Sequence, residues 1–144
     1  MRIYIDTNVI IDLLAKREPF YQDAYDLFLQ IAERNDLIAY TSVKSIMDIN
    51  YILNRYFHDR LESGRHIVEL IKLLYVADST DIDLLKSFSG TSNNLEDNLI
   101  IETAFRLDLD YIITGNLKDF RNSKVPAISP SDCLKVLSLP ELDT

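Results

Sequence analysis

IYIDTNVIIDLLAKR, residues 3 to 17, runs apolar and aromatic side chains into a bare carboxylate at Asp6 and starts a helical apolar pattern almost at once. Residues 2 to 5 are rich in β-formers and read as a short buried strand. Val9, Ile10, Leu13 and Leu14 then recur with helical spacing, which predicts a helix to about Lys16. A strand that passes straight into a helix is the opening of a β–α unit, and the same alternation repeats down the chain. Pro19 punctuates, and FYQDAYDLFLQIAERND (20–36) carries Phe20, Ala24, Leu27, Phe28 and Ile31 on one helical face. LIAYTS (37–42) reads as a second strand. Thr41 or Ser42 caps a helix whose stripe of Val43, Ile46, Ile49, Asn50 and Leu53 continues to about Phe57. Another helix is expected from about Leu61 to Leu74, a third strand at YVAD (75–78), and a short helix from Thr80 through Leu84, Leu85 and Phe88. SGTSNN (89–94) is a plain loop. LEDNLIIETAFRLD (95–108) is helical, YIITG (111–115) is a fourth strand, AIS (127–129) is a candidate fifth, and SPSDCLKVL (129–137) opens a last helix with Ser-Pro.

Strands alternating with helices predict an α/β fold with a central parallel sheet of four or five strands and helices on both faces. Ligands of such sheets sit in the crevice beyond the carboxyl ends of the strands. The chain reads as one domain, 1–144, without repeats, linkers or low-complexity segments. Its 23 acidic and 15 basic residues give a formal charge of -8, which argues against a nucleic-acid binder with a broad basic face. A polyanionic substrate would need metal ions or a small basic rim. The single cysteine, Cys133, makes neither an intramolecular disulfide nor a zinc site, and no apolar run has the length of a membrane span or signal h-region. A cytoplasmic protein with no membrane segment is expected. The acidic tail ELDT (141–144) reads as uninformative.

Asp6 falls just past the carboxyl end of the first strand, and three further acids can reach the same rim. Asp97 is in the first turn of the helix before strand four, Asp119 follows that strand in TGNLKDF, and Asp48 lies one turn into the helix after strand two. Four carboxylates converging with no lysine or arginine between them would repel one another strongly, so the cluster makes sense around divalent cations. Hard oxygen donors with few histidines favour Mg2+ or Mn2+ over zinc, and such ions suit phosphodiester cleavage. Each acid also has a plain reading. Asp6 can cap the first helix, Asp97 can be the acidic member of a capping box begun by Asn94, Asp119 can be a turn residue and Asp48 an exposed helix position. Thr114 can orient a carboxylate through its hydroxyl or simply be a β-branched strand residue. His58 and His66 lie in the charged stretch RYFHDRLESGRH and read as solvated.

IYIDTNVIIDLL at the start, TSVKSIMDINYIL in the middle, and LEDNLIIETAFRLDLDYIITGNLKDF followed by VPAISPSDCL near the end together resemble a PIN-domain nuclease. The likeness is closest to the single-domain, toxin-like ribonucleases of bacterial VapC-type toxin–antitoxin pairs, and it covers almost the whole chain in order. The resemblance implies a three-layer α/β/α fold and acidic side chains that bind Mg2+ or Mn2+ for hydrolysis of single-stranded RNA. It also implies an antitoxin protein as partner. By this likeness Asp6 matches the family's first acid, Asp97 the acid of the helix before the last central strand, and Asp119 the acid of the DF element. Asp48 stands where many relatives carry glutamate. Thr114 matches the hydroxyl closing the strand, Asn116 a position held by aspartate or asparagine, and Asn8 the polar residue that orients the first acid. Gly115 departs from the pattern, which often has arginine there.

The competing enzyme class, phosphoryl transfer on aspartate, fails in detail: the phosphatase pattern wants aspartate at Asn8, and the receiver pattern wants a lysine where Thr114 and Gly115 stand. The other open reading is a catalytically weak or inactive PIN-fold module that binds RNA or protein. Lys118, Arg121 and Lys124 form the basic cluster nearest the proposed site and are candidate RNA contacts. Tyr21, Tyr25, Tyr51, Tyr56 and Phe57 are many aromatics for the outer elements of a small domain, so a homodimer or a docked partner helix is expected.

Overall fold

The computed structural model describes residues 1–140; the ELDT tail lies outside the described residues. In chain order the elements are β1 (Arg2–Ile5), α1 (Thr7–Leu14), α2 (Tyr21–Glu33), β2 (Ile38–Ser42), α3 (Val43–Phe57), α4 (Arg60–Ile71) and β3 (Tyr75–Ala77). There follow α5 (Asp81–Ser87), α6 (Leu95–Arg106), β4 (Tyr111–Ile113), a 3-10 turn (Leu117–Phe120), β5 (Ala127–Ile128) and α7 (Pro130–Leu137). The five strands form one sheet in the order β3-β2-β1-β4-β5, and each neighbouring pair is parallel.

The alternation of side chains along β1 explains the layers. Ile3 and Ile5 join Ile113 of β4 in a core with α1, α2, α3, α4 and Cys133 of α7, whereas Tyr4 and Ile112 point the other way against Ile100, Ile101 and Ala104 of α6. α5 packs on α6. The result is the expected α/β/α sandwich, with five strands.

Most differences from the sequence reading lie at helix ends. α1 and α6 each stop two residues before the expected end, because Lys16 (φ 52°) and Asp108 (φ 56°) turn the backbone left-handed. α2 runs Tyr21–Glu33 rather than 20–36, as Arg34 is already extended. α4 ends at Ile71 rather than Leu74. The 3-10 turn has no counterpart in the sequence reading, since four residues carry no usable periodicity.

The topology fixes where chemistry can occur. From β1 the chain moves outward to β2 and β3, then returns through α5 and α6 to β4 on the other side of β1. β1 and β4 are therefore the strands at the switch point, and the crevice opens beyond their carboxyl ends. Beneath it Tyr4 is fully buried, with its hydroxyl donating to Ser42 Oγ at 2.9 Å and hydrogen-bonded to Ser45 Oγ at 2.8 Å. Ser42 also caps α3 through Ser45 N–H, so one tyrosine ties β1 to the start of the helix that carries Lys44 and Asp48.

Candidate active site

The crevice is a cavity of about 480 Å³ lined by Asp6, Asp48, Glu96, Asp97 and Asp119, with Lys44, Arg17 and several neutral side chains between them. Asp6 follows β1 directly, and its backbone N–H donates to Ile113 O at 2.9 Å, which locks it beside the end of β4. Its two carboxylate oxygens have different partners. Oδ1 accepts from Thr7 N–H at 2.8 Å, making Asp6 the cap of α1, and Oδ2 accepts from Thr114 Oγ1 at 2.8 Å. The capping and the orienting readings of Asp6 and Thr114 thus hold together. Burial pushes the Asp6 carboxyl above the usual carboxylate range, and nearby Asp119 adds to that, while the Thr114 and Thr7 hydrogen bonds pull the other way.

Asp97 sits in the first turn of α6, but it is not half of a capping box. Asn94 Oδ1 accepts from Glu96 N–H at 2.8 Å, and Asn94 N–H donates to Ser92 Oγ at 3.2 Å. Asp97 Oδ2 is buried with no hydrogen-bond partner. Burial, first, and then the charges of Asp6 and Asp119 push the Asp97 carboxyl up to about 7; the close side chain of Asp119 and the charge of Glu96 act in the same direction. The turn that presents Asp97 is clamped by Asn98, which accepts from Ser92 N–H and donates to Ser92 O, both at 3.0 Å. Gly90 makes room for that clamp, since a Cβ there would stand 2.3 Å from Asn98 Cγ.

Asp119 lies on the 3-10 turn, where the Asn116 side-chain amide donates to its Oδ2. Asn116 N–H in turn donates to Thr114 Oγ1 at 3.0 Å, so Thr114 links Asp6 to the segment that carries Asp119. Asn8 Oδ1 accepts from Gly115 N–H at 3.3 Å and holds the same segment against α1.

Two features depart from the sequence reading. The acids are not free of intervening cations: Lys44 Nζ lies 2.7 Å from both oxygens of Asp48 and 3.2 Å from Glu96 Oε1. Asp48 therefore lines the cavity as the partner of a lysine, and its hydrogen bond is the largest of the effects that raise the Lys44 pKa. Lys124 is not at the site. Its Nζ pairs with the buried Glu102 at 2.6 Å and lies 4.5 Å from the centre of the Phe105 ring. Lys118 and Arg121 do stand beside Asp119, lining a second, polar cavity of about 330 Å³ that shares Asn94 and Asp119 with the first. Sequence reasoning missed Lys44 and Glu96, although the four-residue spacing of Lys44 and Asp48 is the signal for such a pair.

The donor set suits a small hard cation. It consists of carboxylate oxygens, one of them buried and unpartnered, without sulfur or imidazole. Among the described residues no three His, Cys, Asp or Glu side chains stand close enough to enclose an ion by themselves. Mg2+ does not require that, because it keeps several waters and takes one or two carboxylates.

The family model described as PIN domain matches residues 2–118, most of the chain, and the protein belongs to that family. The match ends one residue before Asp119, whose place at the site rests on the contacts above. The fold is shared with solved structures of low sequence identity. VapBC2 from Rickettsia felis bound to a promoter DNA fragment is 14% identical, with TM-score 0.69 over 90% of this chain and 98% of that one. VapBC-1 from nontypeable Haemophilus influenzae is 19% identical, with TM-score 0.66 over 91% and 99%. VapC20 of Mycobacterium tuberculosis, described as a toxin that cleaves the sarcin–ricin loop, is 13% identical, with TM-score 0.62 over 76% and 86%. None of the curated proteins compared matches the sequence.

Proposed function

We propose that the protein is an Mg2+- or Mn2+-dependent endoribonuclease that cleaves single-stranded RNA, the toxin of a toxin–antitoxin pair. The observation that carries this reading is Asp97 Oδ2, buried and unpartnered beside Asp6 and Asp119 at the carboxyl end of a parallel sheet. Asp6, Asp97 and Asp119 would hold the ion, one or two of them directly and the rest through its waters. When bound, it supplies charge against the phosphate and a more acidic water. The rest is done by the chain itself. Thr114 and Thr7 fix both oxygens of Asp6, so that acid cannot rotate away. Asn116 holds one oxygen of Asp119, Oδ2. Asp97 Oδ2, buried and without a hydrogen-bond partner, is the oxygen left open to the ion or its waters.

VapBC complexes among the solved structures of this fold support a protein partner, and exposed Tyr25, Tyr51 and Tyr56 on α2 and α3 offer apolar surface for it or for a second copy of the chain. No helix of the described residues is long and apolar enough to cross a membrane, and the reading places the protein in the cytoplasm with its RNA.

The direct test is incubation with labelled single-stranded RNA, duplex RNA and duplex DNA in Mn2+. Internal cleavage of the single-stranded RNA alone is the expected result, while binding without cleavage would favour the inactive PIN-fold module. Electrostatics gives a second prediction. Neutralising Lys118 and Arg121 together weakens RNA binding and reduces the slope of log K against log salt by about 1.4, roughly 0.7 for each phosphate that the side chains no longer neutralise on a single strand. Adding the neutral replacement of Lys124 changes that slope no further, because its charge is already taken by Glu102. The salt titration of binding for the double and triple variants checks both statements.

A further inference from the structure

We propose that Lys44 is a built-in second cation of the acidic cavity: its ammonium fills the Asp48–Glu96 half, so the cavity takes one divalent ion, at the Asp6–Asp97–Asp119 half, rather than two. The inference rests on the metal-binding part of the proposed function and deepens it.

The two halves differ in what their oxygens already touch. Both Asp48 oxygens lie 2.7 Å from Lys44 Nζ, and Glu96 Oε1 lies 3.2 Å from it. A nitrogen bonded to three carboxylate oxygens from α3 and α6 is a cation seated between anions at the cavity mouth, and its charge opposes the approach of a divalent ion to those oxygens while it is there. In the other half Asp97 Oδ2 has no partner, and the groups on Asp6 and Asp119 are neutral hydroxyl, backbone and carboxamide donors. Arg17, the other cation that lines the cavity, does not compete for either half, because it is drawn 2.7 Å from Asp12.

Charge explains why a lysine serves there. Two-metal phosphodiester sites place their ions about 3.5–4 Å apart, each compensating part of the charge on the substrate. A tethered ammonium, half-exposed at the rim, offers a single positive charge there without depending on free ion concentration. It also ties α3 to α6 across the mouth of the cavity, and neither task requires Asp48 to touch a metal.

Counting bound Mn2+ tests this without any substrate. The quenching of the free-ion electron paramagnetic resonance signal on titration gives the number of ions per chain. The expected counts are one for the wild type, two for Lys44→Met, where Asp48 and Glu96 lose their cation, and one again for Lys44→Met combined with Asp48→Asn. Lys44→Gln replaces Lys44→Met in the series if the methionine variant does not fold, with the same counts expected. Two ions on the wild type, none on the wild type, or no added ion on the folded Lys44 variants would overturn the inference. If the counts run one, two, one and no RNA is cut, the assignment of Lys44 stands and the nuclease reading fails instead.

Discussion

Asp97→Asn is expected to stop RNA cleavage, by more than about 100-fold, and to leave the metal-free protein at pH 8 more stable than the wild type. Outer partners of metal ligands cost roughly 10- to 100-fold when removed, so removing a carboxylate that meets the ion directly should exceed that range. The gain in stability follows from the pKa. With Asp97 pushed up to about 7 in the folded state, the folded protein binds a proton that the unfolded chain has released, between about pH 4 and that value. The associated stability is complete below the unfolded pKa and is lost as pH rises through about 7. Metal-free wild type should therefore weaken over this interval; the rise to about 7 corresponds to about 4 kcal/mol, and solvent screening of the partly exposed carboxyl reduces it to on the order of 2 kcal/mol, or roughly 5–10 °C in Tm for a domain of this size. Asparagine carries no charge to repel Asp6 and Asp119, and most of the slope should vanish. Thermal melts in EDTA at pH 5 and pH 8 measure it. A destabilised variant that still cuts RNA would mean that Asp97 serves the helix rather than the chemistry.

The parts of the site that were legible in the sequence are those set by local order. Asp6 could be placed because a β-rich run ends at it and a helical stripe begins behind it, and Thr114 because it closes the strand that pairs with β1. The fold followed from the same alternation, since a parallel sheet leaves few arrangements for its crossovers. What was not legible depends on contacts between segments distant in the chain. Nothing near Lys124 shows that a buried Glu102 on α6 will claim it, and a reading by proximity to Asp119 assigns it to RNA. The Tyr4 hydroxyl that anchors α3 is likewise invisible within RIYI, because its serine partners follow on another strand and helix. Lys44 is an intermediate case. Its spacing to Asp48 is an ordinary helical ion pair, of the kind that contributes little when exposed. Only the approach of α6, bringing Glu96, turns it into part of the site.

Metal removal has the other large effect, since it should remove activity altogether. Without an ion, Asp6, Asp97 and Asp119 present negative charge to a negative phosphate, and Lys44 is engaged with Asp48 and Glu96. No other cation lining the main cavity is free among the described residues, as Arg17 is held by Asp12. Hydrolysis would then lack both charge compensation and an acidified water. Ion binding to the folded state alone should also raise Tm with increasing concentration, which separates a filled site from a general salt effect. The decisive measurement is the rate of single-stranded RNA cleavage by protein stripped with excess EDTA, dialysed, and then supplied with Mg2+ or Mn2+. The expected result is no cleavage in the stripped protein and full recovery with either ion. Cleavage at an undiminished rate under thorough chelation would contradict the acid cluster as a metal-dependent active site.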